Sequence, residues 1–524
     1  MRTIVVYPTT RFLVYGLDSS SAPFESLHCI NVDASHPLYS VDEGSNYAIS
    51  GLEERGLNSV MSKFSSKGED TQLRRRNPKN VVKSEDDAVK DGLVTETTPS
   101  SFSMLLQHQA HHFFCTEYSS ETVEAETASV CWPFQELLRG NTSQEVFDLL
   151  GTLWKKLLKR DVSQAGEIGF TNSRCLFIVP DDVQPTVYHR LLRVILGHLQ
   201  FESCLFVSES STVLHKFGVP HGIVVNLDFE KFKVTALEDG SPMQYHTFHM
   251  NYGLDDLMNM FLKFLLWNPE GFVHSLPYIS LKHPKDYLQS LFHFMRLMTF
   301  NTNDLGRLDR IVFNRNDKAY HFNVDLARFV IPNVIFNPTM FGYRFETDHY
   351  LRFFEWPRPK QDERGQKMLR KKLHTSDIPH MYSDFDLIGS GHRSLTHLAE
   401  NEPLVMDETL PLDLTVYELL RRTGRVGLRK RLTSHVFIIG AGAHIDTLST
   451  ELKNRVNELH SSLAVSPISP ITHTGLQQVW LGGKVMSTYD ALKERFTTRA
   501  DYENYGFGHC SHNWPVDCSG CGDS

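Results

Sequence analysis

Gly222-Ile-Val-Val-Asn-Leu-Asp-Phe-Glu230 is the stretch on which the fold turns. Its apolar, β-branched start predicts a buried strand over 222–227. Phe232 to Leu237 pairs back against it, and Glu238-Asp239-Gly240-Ser241 supplies a hairpin turn. Upstream, Cys175 to Val179 and Cys204 to Val207 read as two more buried strands. Between them Val187, Leu191, Val194, Ile195 and Leu199 recur at helical spacing, and a short helix runs to Phe217. Strands alternating with helices in this way predict an α/β fold.

Working outward, Ile4 to Val6 and Phe12 to Tyr15 form a strand pair around the turn at Pro8-Thr9-Thr10-Arg11. Glu145 to Leu158 is an amphipathic helix, striped by Val146, Leu149, Leu150, Leu153, Trp154, Leu157 and Leu158. Beyond the centre, Leu254 to Trp267 and His283 to Phe300 read as helices, and 310–323 as a hairpin. Asp413 to Arg422 is helical, Ser434 to Ile439 a strand, and Gly440-Ala441-Gly442 a turn. Ile445, Leu448, Leu452, Val456 and Leu459 stripe the following helix. Val479-Trp480-Leu481-Gly482-Gly483 then precedes a last helix through Phe496. Residues 37–103 and 346–404 break the pattern. Rich in charged and small polar residues, they bury too little apolar surface to offset their ordering entropy, so both read as mobile insertions. Residues 507–524 read as a disordered tail that carries cysteines.

Composition sets outer limits. The 524 residues predict roughly two to four domains. With 41% hydrophobic and 22% charged residues, a fully disordered chain, a collagen and a coiled-coil rod are excluded. Against 62 acidic side chains stand 53 basic ones, a net charge of −9 that excludes a histone-like polycation but leaves room for local basic patches. The start lacks the apolar core of a secretory signal. The most apolar helical run, Met258 to Trp267, contains Lys263 and is too short to span a bilayer, so no membrane protein is expected. Five of the cysteines sit singly in apolar segments, as in reduced intracellular proteins.

Several segments are open to a chemical reading. A strand running into Gly440-Ala441-Gly442 and a helix can hold phosphate, because small residues let the backbone approach and a helix N-terminus favours negative charge; the alternative is a tight turn. Arg421, Arg422, Arg425, Arg429, Lys430 and Arg431, with Lys367, Arg370, Lys371 and Lys372, form either a DNA-phosphate contact or a solvated basic face. Arg74-Arg75-Arg76 has the same two readings. Cys510, His512, Cys518 and Cys521 are candidate zinc ligands or part of a disordered tail, and His108, His111 and His112 are metal ligands or surface histidines. No Gly-x-Ser-x-Gly nucleophile motif occurs.

Val479-Trp-Leu-Gly-Gly-Lys-Val-Met486, followed by Thr498-Arg-Ala-Asp-Tyr-Glu-Asn-Tyr-Gly506, resembles the C-terminal signature of the actin superfamily. His435-Val-Phe-Ile-Ile-Gly-Ala-Gly-Ala443 resembles the actin adenosine-binding turn. Within that superfamily the chain is similar to the actin-related protein 8 family, through Ile4-Val-Val-Tyr-Pro-Thr-Thr10, Gly222 to Asp228, Phe336-Asn-Pro-Thr-Met-Phe-Gly342 and Asp413 to Gly442. The basic N-terminal extension common in that family is not expected ahead of this actin body. The resemblance implies an actin-like α/β fold: two ribonuclease-H-like lobes around a nucleotide cleft, with two long charged insertions. Residues 1–36 and 104–225 would form the first lobe. Residues 226–345 and 405–506 would form the second, with the final helix returning to the first.

For the family's nucleotide site the resemblance implies two acids, one per phosphate loop, that hold the water shell of Mg²⁺, and a polar residue that orients water. This chain offers Tyr7 at the first acid position, and Asn226 and Phe229 at the second. Asp228 and Glu230 replace glycines where phosphate would approach, and the water-orienting Gln falls near Glu209-Ser210. No catalytic residue and no dedicated metal is therefore expected. Weak, structural ATP binding would rest on the backbone of Thr9, Thr10 and Arg11, on Asn226 and Asp228, and on Gly440 and Gly442. The resemblance further implies a nuclear scaffold of an INO-type chromatin-remodelling complex, acting in transcription and DNA repair. Its partners would be the remodeller ATPase subunit, actin, other actin-related proteins, nucleosomal or linker DNA and histones. The rival readings are a weak ATPase of the same superfamily and a cytoplasmic, dynactin-type actin-related protein.

Overall fold

The computed structural model describes residues 2–32, 94–96, 116–117, 129–162, 170–181, 183, 185–250, 252–266, 295–300, 310–315, 318–323, 327–338, 411–423, 425–459, 467–468 and 475–510. Two sheets organise them. The first contains β1 (Arg2–Pro8), β2 (Phe12–Leu17), β3 (Phe24–Leu27), β4 (Ser173–Val179) and β5 (Ser203–Ser208), in the order β5-β4-β1-β2-β3, with Thr497–Thr498 outside β5. The second contains β6 (Gly222–Leu227), β7 (Phe232–Glu238), β8 (Ser241–Met250), β9 (Val436–Ile439) and β10 (Pro467–Ile468), in the order β8-β7-β6-β9-β10.

The two sheets repeat one design. In each, an antiparallel meander (β1-β2-β3 or β6-β7-β8) is extended on its first strand by two parallel strands. Parallel neighbours need crossover helices. The helices are α1 (Pro133–Leu138), α2 (Gln144–Val162), α3 (Pro185–Leu192), α4 (Glu209–Phe217), α5 (Leu254–Leu266), α6 (Leu412–Arg422), α7 (Val426–Ser434), α8 (Leu448–Leu459) and α9 (Gly475–Ser487). This is the α/β, actin-like architecture.

Strand alternation explains how β1 serves two cores. Ile4 and Val6 face α2, packing with Leu150, Leu153 and Trp154. Val5 and Tyr7 point the other way, into a cluster that continues through Ile223, Val225 and Leu227 of the second sheet. All seven striping residues of α2 are buried, each contributing about 1.5–3 kcal/mol of transfer free energy if fully withdrawn from water. One buried apolar cluster thus runs from sheet to sheet.

Three sequence expectations change. Val479–Gly483 does not precede a helix but lies inside α9. Ile445 falls outside its helix, because Gly440-Ala-Gly leads into a 3₁₀ turn, Ala441–His444, and α8 starts only at Leu448. Within 37–103, Val94–Glu96 is a strand paired with Lys318–Asn323, itself hairpinned to Arg310–Arg315 as expected. Of His283 to Phe300, only 295–300 is described. The rest of 37–103 and all of 346–404 lie outside the described residues.

Candidate functional site

Two hairpin loops meet between the sheets. Loop one, 9–11, joins β1 to β2, and loop two, 228–231, joins β6 to β7. Phe12, just after loop one, and Phe229, within loop two, are both buried, with ring centroids 5.7 Å apart. An aromatic pair therefore fills the space between the loops.

Loop one closes on itself. The Thr9 amide donates to Phe12 O at 2.7 Å, and the Thr9 hydroxyl accepts from the Phe12 amide at 3.0 Å. Of the backbone donors expected for phosphate, that of Thr9 is thus consumed. Behind the loop, Trp154 Nε1 donates to His28 Nε2 at 2.8 Å, so His28 Nδ1 carries the proton and donates to Thr9 O at 2.7 Å. Burial pushes the His28 pKa down to about 4, the Thr9 hydrogen bond opposing it. The third loop residue, Arg11, reaches across the gap. Its Nη1 donates to Gln135 Oε1 at 2.6 Å, its Nη2 pairs with the Asp255 carboxylate at the start of α5, and its guanidinium lies 4.4 Å from the centre of the Trp132 ring.

Loop two is tied down as well. Leu254 and Asp255, at the start of α5, donate their amides to Asp228 O at 3.1 Å and Phe229 O at 2.9 Å. Glu230 pairs with Arg139, just past α1, at 2.5 Å. Asp228 is buried, and its pKa is pushed up to about 6 by desolvation, with Lys233 pulling it back.

Under both loops lies an inverted polar trio. Tyr7 hydrogen-bonds to Glu209, and Asn226 Nδ2 donates to the same carboxylate. Burial, then the charges of Glu209 and Asp228, hold the Tyr7 phenol well above its ordinary pKa, so it stays a neutral donor. Of the positions expected to hold acids, Tyr7 and Asn226 supply donors and Phe229 an apolar ring, while the acid sits at the expected Gln position. Three buried oxygens near the loops have no hydrogen-bond partner: Thr10 Oγ1, Asn226 Oδ1 and Asp228 Oδ1. The last two can only accept, so they do not match phosphate oxygens, which are acceptors too. Among the described residues no group of three or more His, Cys, Asp or Glu is placed to hold a metal. The loop residues do not fit a magnesium–triphosphate.

The glycine turn follows the same logic. Gly440 has φ of 85°, and a Cβ there would come within 2.5 Å of Asn226 Oδ1 and Leu227 O. One at Gly442 would meet Leu227 Cβ at 2.6 Å. Both glycines are required by the protein's own backbone packing, whether or not a ligand approaches.

The basic run divides between two helices. Arg421 and Arg422 end α6, while Arg429, Lys430 and Arg431 lie on α7 and Arg425 precedes it. Arg425 pairs with Glu238, Arg429 Nη2 donates to Thr423 O at 3.0 Å, and Arg431 Nη1 lies 3.1 Å from His221 Nε2. Lys430 is exposed. Cys510 ends the helix Arg499–Cys510, while His512, Cys518, Cys521, the histidines at 108–112, Arg74–Arg76 and the cluster 367–372 lie outside the described residues. Cys29, Cys131, Cys175 and Cys204 are buried and form no disulfide. No described helix is long and apolar enough to cross a membrane. Sequence reasoning missed Gln135, Trp132, Arg139, Asp255 and His28, none of which stands in a recognisable motif.

A family model described as Actin matches residues 317–513. The chain is 22% identical over 325 residues to the actin-like protein ARP8 of Saccharomyces cerevisiae, covering 57% of this chain and 36% of that protein. It is 26% identical over 145 residues to the probable actin-related protein 8 of Schizosaccharomyces pombe, covering 27% and 20%. Against the actin-related protein 8 of Dictyostelium discoideum it is 25% identical over 126 residues, covering 24% and 14%. The matches thus span only 14% to 36% of the length of these curated relatives. Among solved structures, the human actin-related protein Arp8 in its ATP-bound state superposes with a TM-score of 0.64 at 15% identity, covering 98% of this chain and 96% of that one. At that identity the likeness is one of fold.

Proposed function

We propose that the chain is a member of the actin-related protein 8 family, to which its relatives and its fold point, and that it is a non-catalytic scaffold of an INO-type chromatin-remodelling complex in the nucleus. The observation that carries the non-catalytic part is the inverted trio: Tyr7 and Asn226 donate to Glu209 where two acids and an amide would be needed. Without paired acids no hydrated Mg²⁺ is held between the loops, and without a free amide the attacking water is not oriented. The human relative was solved with ATP. In this chain the phosphates of an adenine nucleotide would approach the carboxylates of Asp228 and Glu230, which repel them. Binding is then weak and structural.

The nuclear role follows the family. The rigid two-sheet body serves as a platform beside actin and other actin-related proteins on the remodeller ATPase subunit. Its basic segments contribute to engaging linker DNA or histones. Affinity purification from nuclear extract followed by mass spectrometry tests this reading: recovery of a remodeller ATPase with actin is expected, and recovery of neither overturns it. A phosphate-release assay with and without Mg²⁺ tests the chemistry. Release is expected to stay at the buffer rate, and metal-dependent turnover would refute the assignment.

A further inference from the structure

We propose that the two lobes are bolted shut by the protein's own side chains, so that lobe closure needs no nucleotide. The contacts lie at three depths. At the mouth, Arg11 pairs with Asp255 and Arg139 with Glu230. Between the loops, the rings of Phe12 and Phe229 meet at 5.7 Å. At the floor, Tyr7 of the first sheet and Asn226 of the second share the Glu209 carboxylate. Beside them, Asp181 accepts from the Ser210 amide at 3.4 Å and from Thr235 Oγ1 of the second sheet at 3.3 Å.

These contacts are unequal. Arg139 is half exposed, so water and salt screen its pair with Glu230 and leave it worth little. The Arg11 side chain is 9% exposed and that of Asp255 25%, so this pair is screened less than Arg139–Glu230. Arg11 is also oriented by Gln135 and by the Trp132 face, which fixes its fork before the carboxylate arrives. The bolt therefore rests mainly on Arg11–Asp255 and on the phenylalanine pair. A ligand stabilises a closed form only to the extent that it binds that form better than the open one. With the gap already spanned by protein atoms, MgATP has little differential contact left to make.

The test is amide hydrogen exchange together with thermal unfolding of the full chain, with and without 1 mM MgATP. In the wild type, exchange at the Thr9, Leu254 and Asp255 amides is expected to be unchanged by nucleotide, and the unfolding constant to shift less than twofold. Asp255→Asn is expected to raise exchange at these amides at least tenfold. Arg11→Gln should do the same, and the double variant no more than either single one, because all three remove one pair. Slowed exchange with MgATP, accompanied by a hundredfold shift in the unfolding constant (about 2.7 kcal/mol), would overturn the proposal. So would single-variant effects that simply multiply. If Asp255→Asn does not fold, Asp255→Glu and the wild-type nucleotide arm still decide. The proposal stands apart from the complex assignment: a failed purification leaves the bolt intact, and a nucleotide-tightened cleft leaves the scaffold role intact.

Discussion

Replacing Gly482 with Ala puts the packing of α9 to a sharp test. A Cβ at this position would lie 2.5 Å from the Thr212 carbonyl carbon and 3.0 Å from Thr212 Cβ. The obstacle is the backbone of α4, which cannot rotate away, so α9 must retreat by about 1 Å to restore van der Waals separation. There is no slack behind it: a Cβ at Gly483 would meet Ile178 Cδ1 at 2.7 Å and Val5 Cγ1 at 2.9 Å. Any shift of α9 also disturbs the 3.1 Å hydrogen bond from Trp480 Nε1 to Val5 O. Overpacking costs about 1–3 kcal/mol, the lost bond about 0.5–1.5 kcal/mol, and the gain in helix propensity returns about 1 kcal/mol. The expected net loss is about 0.5–3.5 kcal/mol. Gly427, in α7 with nothing within 4 Å of its Cβ position, is the control, because propensity acts there alone and Gly427→Ala is expected to stabilise by up to about 1 kcal/mol. Urea unfolding followed by tryptophan fluorescence reads both as midpoint shifts at constant slope. If Gly482→Ala unfolds at or above the wild-type midpoint, the close-approach argument is wrong.

Three further outcomes are expected. The folded pKa of His28, about 4, lies below the unfolded value of about 6.5, so the native state binds fewer protons; stability is full above about pH 6.5 and falls as pH drops through 4, by at most about 3 kcal/mol. His28→Gln should lose that acid limb in a urea series from pH 7.5 to 4, and an unchanged limb would show that other groups carry it. Phe229→Ala is expected to cost about 3–5 kcal/mol in the same assay without creating Mg²⁺-dependent phosphate release, since Tyr7 and Asn226 still supply no metal-holding acid. Lys430→Glu should weaken linker-DNA binding and lower the salt slope by about 1; an unaltered slope removes α7 from the DNA face.

Local pattern made much of this architecture readable. The run at 222–227 and its partner at 232–238 announced a hairpin because two apolar, β-branched runs flank a short loop with charged residues, and the structure pairs them residue for residue. The α2 stripe was equally plain, its buried side recurring at helical spacing. Gly482 and Gly483 misled, since glycine normally marks the end of an element; here α9 needs them to lie close to α4 and β1. At the site, Tyr7 and Asn226 could be read as losses from an expected pattern, but not as donors to Glu209, because a contact is invisible until the chain has folded. The Arg11–Asp255 pair joins residues 244 positions apart, and no spacing rule reaches that far.

The hydrogen bond from Trp480 to Val5 joins residues 475 positions apart and has a consequence for biosynthesis. The first strand leaves the ribosome long before its last packing partner exists. Throughout translation the inner face of that strand, Val5 and Tyr7, must wait with its apolar surface incompletely covered. Such a chain cannot mature half by half. Its vulnerable period lasts until α9 emerges, and a nascent product arrested before Trp480 leaves its own beginning unfinished.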